Sequence, residues 1–361
     1  MQFRNLFVRC LKFYRRNSQR ENRADKITMN QKLKVLLVSS YDAQFVRNDE
    51  SILKNHFITE AAIFSNPKKS LSYILYSFVQ IFSAVRKTDV SLIWFADFRA
   101  FLTIIFSQIL RKKTLLIVGG YETANEPEMK YGSVYKKKIF FIKYALKHCT
   151  LIFAISDFSK KEIEKLVPKR IAKKIYLCVT ESSETRSEKT DKSVVLIGNA
   201  VEEFYPVYKL KGIDTFVKAA ALLPDYNFTV IGRYSEEIIS KLNPSDNVEF
   251  TGLISNSEVQ QRLSQTKVYC QLSFRESFGL ALAESMQQGC VPVVTNRGAM
   301  PELVGNTGFY VPFGNAEETA KAIVEAMKSD KGQQAQKRIR ENFSRSQREK
   351  LLTDKIKSLC S

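Results

Sequence analysis

At 361 residues the chain is long enough for two domains of ordinary size, each with its own core. Its 44% hydrophobic and 26% charged residues are those of a soluble globular protein and exclude a disordered or fibrous chain. With 56 Lys and Arg against 37 Asp and Glu, the formal charge of +19 draws anionic partners, whether nucleotide phosphates, acidic lipid surfaces or nucleic acid.

The first 30 residues, "MQFRNLFVRCLKFYRRNSQRENRADKITMN", mix Phe, Leu and Val with many Arg and Lys. They lack the uninterrupted apolar run of a signal peptide. Two forms suit this basic extension (1–30): a helix lying on an anionic membrane, or a disordered tail before a domain that starts near Met29. "KVLLVSS" (34–40), "VSLIWFA" (90–96), "TLLIVGG" (114–120) and "LIFAIS" (151–156) then read as buried parallel strands. Helical patterns fall between them at 49–56, 70–87, 101–110 and 134–147. The longest uncharged stretch, Ser70–Val85, is too short and too rich in Ser to cross a bilayer comfortably. "ESSETRSEKTDKS" (181–193) is polar and aperiodic, which makes 181–192 the expected linker.

Beyond it the alternation restarts. Strands are predicted at 193–199, 227–233, 248–253, 268–273 and 291–296, and helices near 212–223, 256–264, 278–288 and 317–327. Two such series predict an α/β protein of two doubly wound, Rossmann-like domains, 31–180 and 193–345. A C-terminal helix over 346–361 is expected to pack at their junction. Ligands of such sheets collect at the carboxyl ends of the strands, so the cleft between the domains is the expected site.

Cys178, Cys270 and Cys290 lie in apolar runs, and no pair of the six cysteines has metal-ligand spacing, so buried free thiols and a reducing, cytoplasmic compartment are expected. Neither of the two histidines, His56 and His148, has a neighbourhood that suggests a metal site or a catalytic triad.

The densest chemistry is "LSFRESFGLALAES" (272–285), a strand, a tight loop and a helix opening near Phe278. Unpaired N–H groups at a helix start form an anion site, and Gly279 lets a ligand approach the backbone. Glu276 and Glu284 suit sugar and ribose hydroxyls on either side of bound phosphates. Taken alone, they also fit a helix cap and a solvated helix residue. Ser273, Glu276, Phe278, Gly279, Leu280, Glu284, Gly289, Pro292, Val293 and Val294, followed by Pro301-Glu302 and "GNTGFYVPFGNAEETAKAI", resemble the signature of retaining nucleotide-sugar glycosyltransferases of family 4, which have the GT-B fold. "KLKGIDTFVKAAALLPDYNFTVIGR" (209–233) extends the likeness, which covers residues 193–345 well.

The resemblance implies two Rossmann-like domains facing across a cleft, and transfer of a sugar from a UDP- or GDP-linked donor to a glycan or lipid-linked glycan. It further implies a retaining reaction that uses neither metal nor cofactor, in surface polysaccharide or glycolipid assembly. Glu276 would contact the donor sugar, the amides of Phe278, Gly279 and Leu280 would hold the diphosphate, Glu284 would hold the ribose, and Lys211 would neutralise the leaving group. Gly252, Leu253 and Ile254 sit where the family packs the base. Asn199 stands where the family usually has Arg, and Lys209 and Arg233 are alternative second cations. The absence of Asp-x-Asp agrees with a metal-free mechanism.

In the first domain, "FVRNDESIL" (45–53) and "VGGYETANEPEMKYG" (118–132) resemble stretches of polysaccharide-building members, with Gly119, Gly120 and Glu122 as acceptor candidates. Helices rich in both Lys and bulky apolar residues suit peripheral contact with the inner face of an anionic membrane. Two alternatives stand beside this reading: a GT-B-type sugar-nucleotide epimerase, which would need further carboxylates and a histidine in the cleft, and a non-catalytic basic protein that binds membrane or nucleic acid. No aromatic-basic nucleic-acid module is identifiable, so no nucleic-acid partner is expected.

Overall fold

The structure, a computed structural model, describes residues 32–64, 71–133, 139–179 and 189–361. The basic extension at 1–30 and residues 181–188 of the expected linker lie outside them, as do the first residues of the helix predicted from 134.

In the first lobe β1 (Lys34–Ser39), β2 (Ile58–Ile63), β3 (Val90–Trp94) and β4 (Lys113–Val118) precede a short hairpin of β5 (Asn125–Glu126) and β6 (Tyr131–Gly132). Strands β7 (Leu151–Ala154) and β8 (Ala172–Lys174) complete a parallel six-stranded sheet in the order β2-β1-β3-β4-β7-β8. The central strands are buried on both faces, which is why they read as continuous apolar runs. Strands β2, "ITEAAI", and β8, "AKK", escaped the sequence pattern because they are edges: β2 is largely exposed, and β8 has three residues of which only Ala172 is buried. The helix Asp157–Leu166 also went unread. Its N-terminus is capped by Ser156, whose hydroxyl accepts from the Ser159 N–H.

The second lobe carries β9 (Thr190–Ile197), β10 (Asn227–Ile231), β11 (Val248–Phe250), β12 (Thr266–Gln271), β13 (Val291–Thr295) and β14 (Phe309–Val311). Their order, β11-β10-β9-β12-β13-β14, is again parallel and is that of a dinucleotide-binding fold. Strand β9 begins inside the stretch read as linker, since Thr190 pairs with Thr266 and extends the sheet past its apolar run. Each lobe has its own apolar core.

After the helices Ala316–Met327 and Lys331–Asn342, the chain returns to the first lobe as the helix Arg345–Cys360. Arg348 is buried there against Asp49, with Nε to Oδ1 and Nη2 to Oδ2 both at 2.7 Å. The Trp94 indole donates to the same carboxylate at 2.9 Å, and Arg348 Nη1 donates to the Tyr176 carbonyl at 2.5 Å. "FVRNDESIL" thus supplies the first lobe's anchor for this last helix.

Candidate active site

In both sheets strand order reverses at one point, between β1 and β3 in the first lobe and between β9 and β12 in the second. The crevice past the carboxyl ends of such strands is where α/β sheets bind ligands. The two crevices share a cavity of about 320 Å³, lined by Phe45, Trp94, Gly119 and Tyr131 on one side and by Tyr205, Lys211, Glu276 and Gly279 on the other.

Alternation along β12 and its extension sends Tyr269, Gln271 and Ser273 to the same face, and all three are buried. Tyr269 Oη donates to Gln271 Oε1 at 3.0 Å, and Gln271 Nε2 donates to Ser273 Oγ at 2.7 Å. Gln271 Nε2 and Ser273 Oγ then donate to Glu276 Oε1, at 3.2 and 3.1 Å. Lys211 Nζ adds an ion pair to that same oxygen. Every hydrogen bond to the carboxylate falls on Oε1, so Oε2 has no partner among the described residues. Lys211 owes its place to Gly212, whose φ of +70° and close approach to Leu272 exclude a side chain: a Cβ there would lie 2.1 Å from the Leu272 carbonyl oxygen.

The predicted helix opens two residues later than expected, at Leu280, with Gly279 as its left-handed cap at φ 94°. The first helical bond runs from the Ala283 N–H to the Gly279 carbonyl at 2.9 Å, which leaves the amides of Phe278, Gly279 and Leu280 without intrahelical acceptors. The Phe278 ring turns away into the core, 5.8 Å from Phe343, so this residue offers the cavity its backbone. The carboxylate of Glu284, inside the helix Leu280–Gln287, has no hydrogen bond or ion pair among the described residues, and desolvation pushes its pKa up to about 7.

Asn199 is occupied structurally: its Oδ1 accepts from the Arg233 N–H at 3.0 Å and ties β9 to the turn after β10. The Arg233 side chain is half exposed and lies 3.5 Å from Glu203. Gly252 accepts from the Gly232 N–H at 3.2 Å, which sets Leu253, 74% exposed, and Ile254 on the open rim beside β10. Gly252, Leu253, Ile254, Asn199 and Arg233 therefore gather past the ends of β9 and β10, and Gly198, which precedes Asn199, lies against the Lys211 side chain.

The acceptor candidates need correction. Glu122 was expected to meet an acceptor hydroxyl, but its carboxylate is buried and turned into its own loop. It accepts from the amides of Ala96 at 3.2 Å, Gly119 at 3.0 Å and Gly120 at 2.7 Å. Burial still raises its pKa, against these three bonds. Of the three candidates, only Gly119 lines the cavity. Sequence reasoning missed Gln271, Arg275, Tyr131 and Tyr205. The two tyrosine rings meet edge to face across the lobes at 5.2 Å, and Tyr205 lies in "AVEEFYPVYKL", whose unusual length was its one signal. Neither histidine lines the cavity: His56 contacts Glu349 at 2.5 Å and His148 stacks on Tyr144. Among the described residues no group of three or more His, Cys, Asp or Glu side chains is placed to hold a metal ion, and no helix is long and apolar enough to cross a membrane.

Two Rossmann-like lobes, the second with a polar, helix-capped crevice, give the chain the GT-B fold. Residues 184–345 match the family described as glycosyl transferases group 1, so the second lobe is a domain of that kind. The chain is 24% identical over 302 residues to an uncharacterized 41.2 kDa protein in the cps region of Klebsiella pneumoniae, covering 78% of this chain and 80% of that one. It is 24% identical over 229 residues to N-acetyl-alpha-D-glucosaminyl L-malate synthase of Bacillus anthracis, spanning 56% of this chain and 58% of the relative. Among solved structures, Anabaena Alr3699/HepE in complex with UDP shares the fold with a TM-score of 0.70, at 16% identity over 90% of this chain and 100% of that one.

Proposed function

We propose that the chain transfers a sugar from a nucleotide-diphosphate donor to a glycan or lipid-linked glycan, as a retaining, metal-independent enzyme of family 4. The observation that carries this reading is the juxtaposition of Lys211, Glu276 and the open helix start at Phe278–Leu280 on one cavity wall. In it the free amides and Lys211 take the diphosphate, and Glu276 Oε2 takes a hydroxyl of the donor sugar. Glu276 keeps Ser273 and Gln271 when Lys211 turns to the phosphate, so the carboxylate stays in place as its cation is shared. Glu284 takes the ribose, and Gly252–Ile254 flank the base. Charge develops on the departing diphosphate, where preorganised donors have the largest effect.

Retention is supported by what the first lobe brings to the cavity. Its lining residues, Phe45, Trp94, Gly119, Tyr131, Ile155 and Leu177, include no carboxylate or imidazole to serve as a base. The acceptor proton then passes to the departing phosphate oxygen as the C1–phosphate bond breaks and the new C1–acceptor bond forms on the same face. No cofactor takes part. A lipid-linked acceptor is favoured by solvent-facing Leu75, Tyr76 and Val79 on the helix Leu71–Lys87 and Phe140 on the helix Ile139–His148. Lys68, Lys69 and Lys136–Lys138 adjoin those helices in sequence and suit an anionic leaflet. The K. pneumoniae relative from a cps region supports work in surface polysaccharide or glycolipid assembly, and the UDP-bound Anabaena structure supports a nucleotide-linked donor.

The test is a thermal-shift screen of UDP, GDP, UDP-glucose, UDP-N-acetylglucosamine and GDP-mannose in EDTA. Saturation at about 100 times Kd adds about 2.7 kcal/mol to the native state. A rise in Tm with one nucleotide family supports the reading. No rise with any of them overturns it.

A further inference from the structure

Neighbouring residues of the loop after β12 face opposite lobes. Glu276 is held within the second lobe, whereas Arg275 reaches out of it and has a side chain only 2% exposed. Arg275 Nη1 meets Glu162 Oε1 at 2.5 Å, and Nη2 meets the other oxygen of that carboxylate. Nη1 also lies 3.2 Å from Glu126 Oε1, and Nη2 donates to the Gly120 carbonyl at 3.3 Å. The guanidinium sits over the Phe158 ring at 4.7 Å. Every one of these partners belongs to the first lobe. Two residues on, the Ser277 carbonyl accepts from Ser156 Oγ at 2.6 Å, and Gly120 is so close that a Cβ there would lie 1.9 Å from Ser277 Oγ. Residues 275 and 277 are thus seated on the first lobe, and Glu276 between them is seated on the second.

We propose that Arg275 is a positioning residue that latches the donor loop to the acceptor lobe, so that Glu276 reaches its working placement against the donor sugar only when the two lobes are docked. A bidentate guanidinium–carboxylate pair fixes both distance and plane, which a lysine does not. The latch also reaches the hairpin β5–β6 through Glu126, and that hairpin carries Tyr131 into the cavity. Donor placement and the acceptor-side wall therefore move as one unit. The inference rests on the donor role proposed for Glu276.

The experiment compares the wild type with Arg275→Lys and Glu162→Gln in the full chain. Hydrolysis of UDP-glucose or GDP-mannose, with water as acceptor, gives kcat; calorimetry gives Kd for the matching nucleoside diphosphate. Expected is a fall in kcat of about 10²-fold in each variant with Kd within about twofold, the mark of lost orientation rather than lost binding. The double variant should lose little more than either single one. Tm should fall, and amide exchange should accelerate in 276–280 and 125–132 beyond the acceleration shared by the central strands of the two sheets. A folded variant with wild-type kcat, or with both segments accelerated no more than those central strands, overturns the latch. If Arg275→Lys does not fold, Glu162→Gln, which keeps the side chain's size and an acceptor oxygen, decides alone. A wild type that hydrolyses neither donor counts against the donor role, and the exchange measurement still decides the latch.

Discussion

The two lobes share an architecture but use their polar residues differently. In the second lobe, Tyr269, Gln271 and Ser273 are spent on one carboxylate whose other oxygen is left open, and the carboxylate of half-buried Glu284 has no partner among the described residues. In the first lobe, the buried carboxylates are consumed by the fold. Asp49 takes Arg348 and Trp94, and Glu122 takes three amides. The contrast teaches that a buried carboxylate marks a ligand site by its unused oxygen, not by its burial.

The strongest way to break that contrast is Asp49→Ala, which strands the Arg348 guanidinium. Losing one partner of a buried, hydrogen-bonded pair costs about 3–5 kcal/mol. Denaturant unfolding should show that loss, and a stability within about 1 kcal/mol of wild type would mean the anchor is idle. On the other lobe, Glu276→Gln and Lys211→Ala should each lower kcat by about 10²–10³-fold while the circular dichroism spectrum stays unchanged. Wild-type turnover in both would remove the site assignment. Glu122→Gln should act as a fold variant: about 1–3 kcal/mol less stable, because an amide cannot serve three N–H donors as a carboxylate does, with nucleotide affinity unchanged. An activity loss without destabilisation would restore Glu122 as an acceptor contact.

A further effect is one of pH. The Glu284 carboxyl keeps its proton to about pH 7 in the fold, against an ordinary value of 4.5, because burial penalises its charge. Its contribution therefore favours the ligand-free fold below pH 4.5 and is lost as pH rises through 4.5 towards 7. Glu284→Gln should accordingly raise Tm at pH 8 relative to wild type and leave it nearly unchanged at pH 4. If the ionised form grips the ribose, donor affinity in the wild type should weaken about tenfold per pH unit below 7, and in Glu284→Gln it should not. A flat affinity profile in the wild type would exclude the ionised grip.

The same contrast accounts for what the sequence made readable. The second lobe's site lies within one strand–loop–helix and one preceding turn, so local spacing brings Glu276, Gly279 and Glu284 into view. The twice-buried central strands were equally plain as apolar runs. Edge strands such as β2 were not, because their outward faces carry polar residues. Arg275 and Glu162 are 113 positions apart, and Asp49 and Arg348 are 299 apart; no periodicity links such pairs. Asn199, flagged as a missing cation, turns out to be a tie between strands. Glu122 was read towards the cleft because sequence shows which residue follows a glycine turn but not which way its side chain folds back.

The long separation between Asp49 and Arg348 has a consequence for synthesis. At roughly 5–20 residues per second, a ribosome needs on the order of 15–60 s to reach Arg348 after it has made Asp49. Through that interval the Asp49 carboxylate lacks the cation that balances it, and the crevice wall formed by Trp94 lacks its backing helix. The first lobe, though made first, cannot finish before the second. A nascent chain stalled ahead of Arg348 should therefore present a folded donor lobe beside an acceptor lobe that proteases still cut.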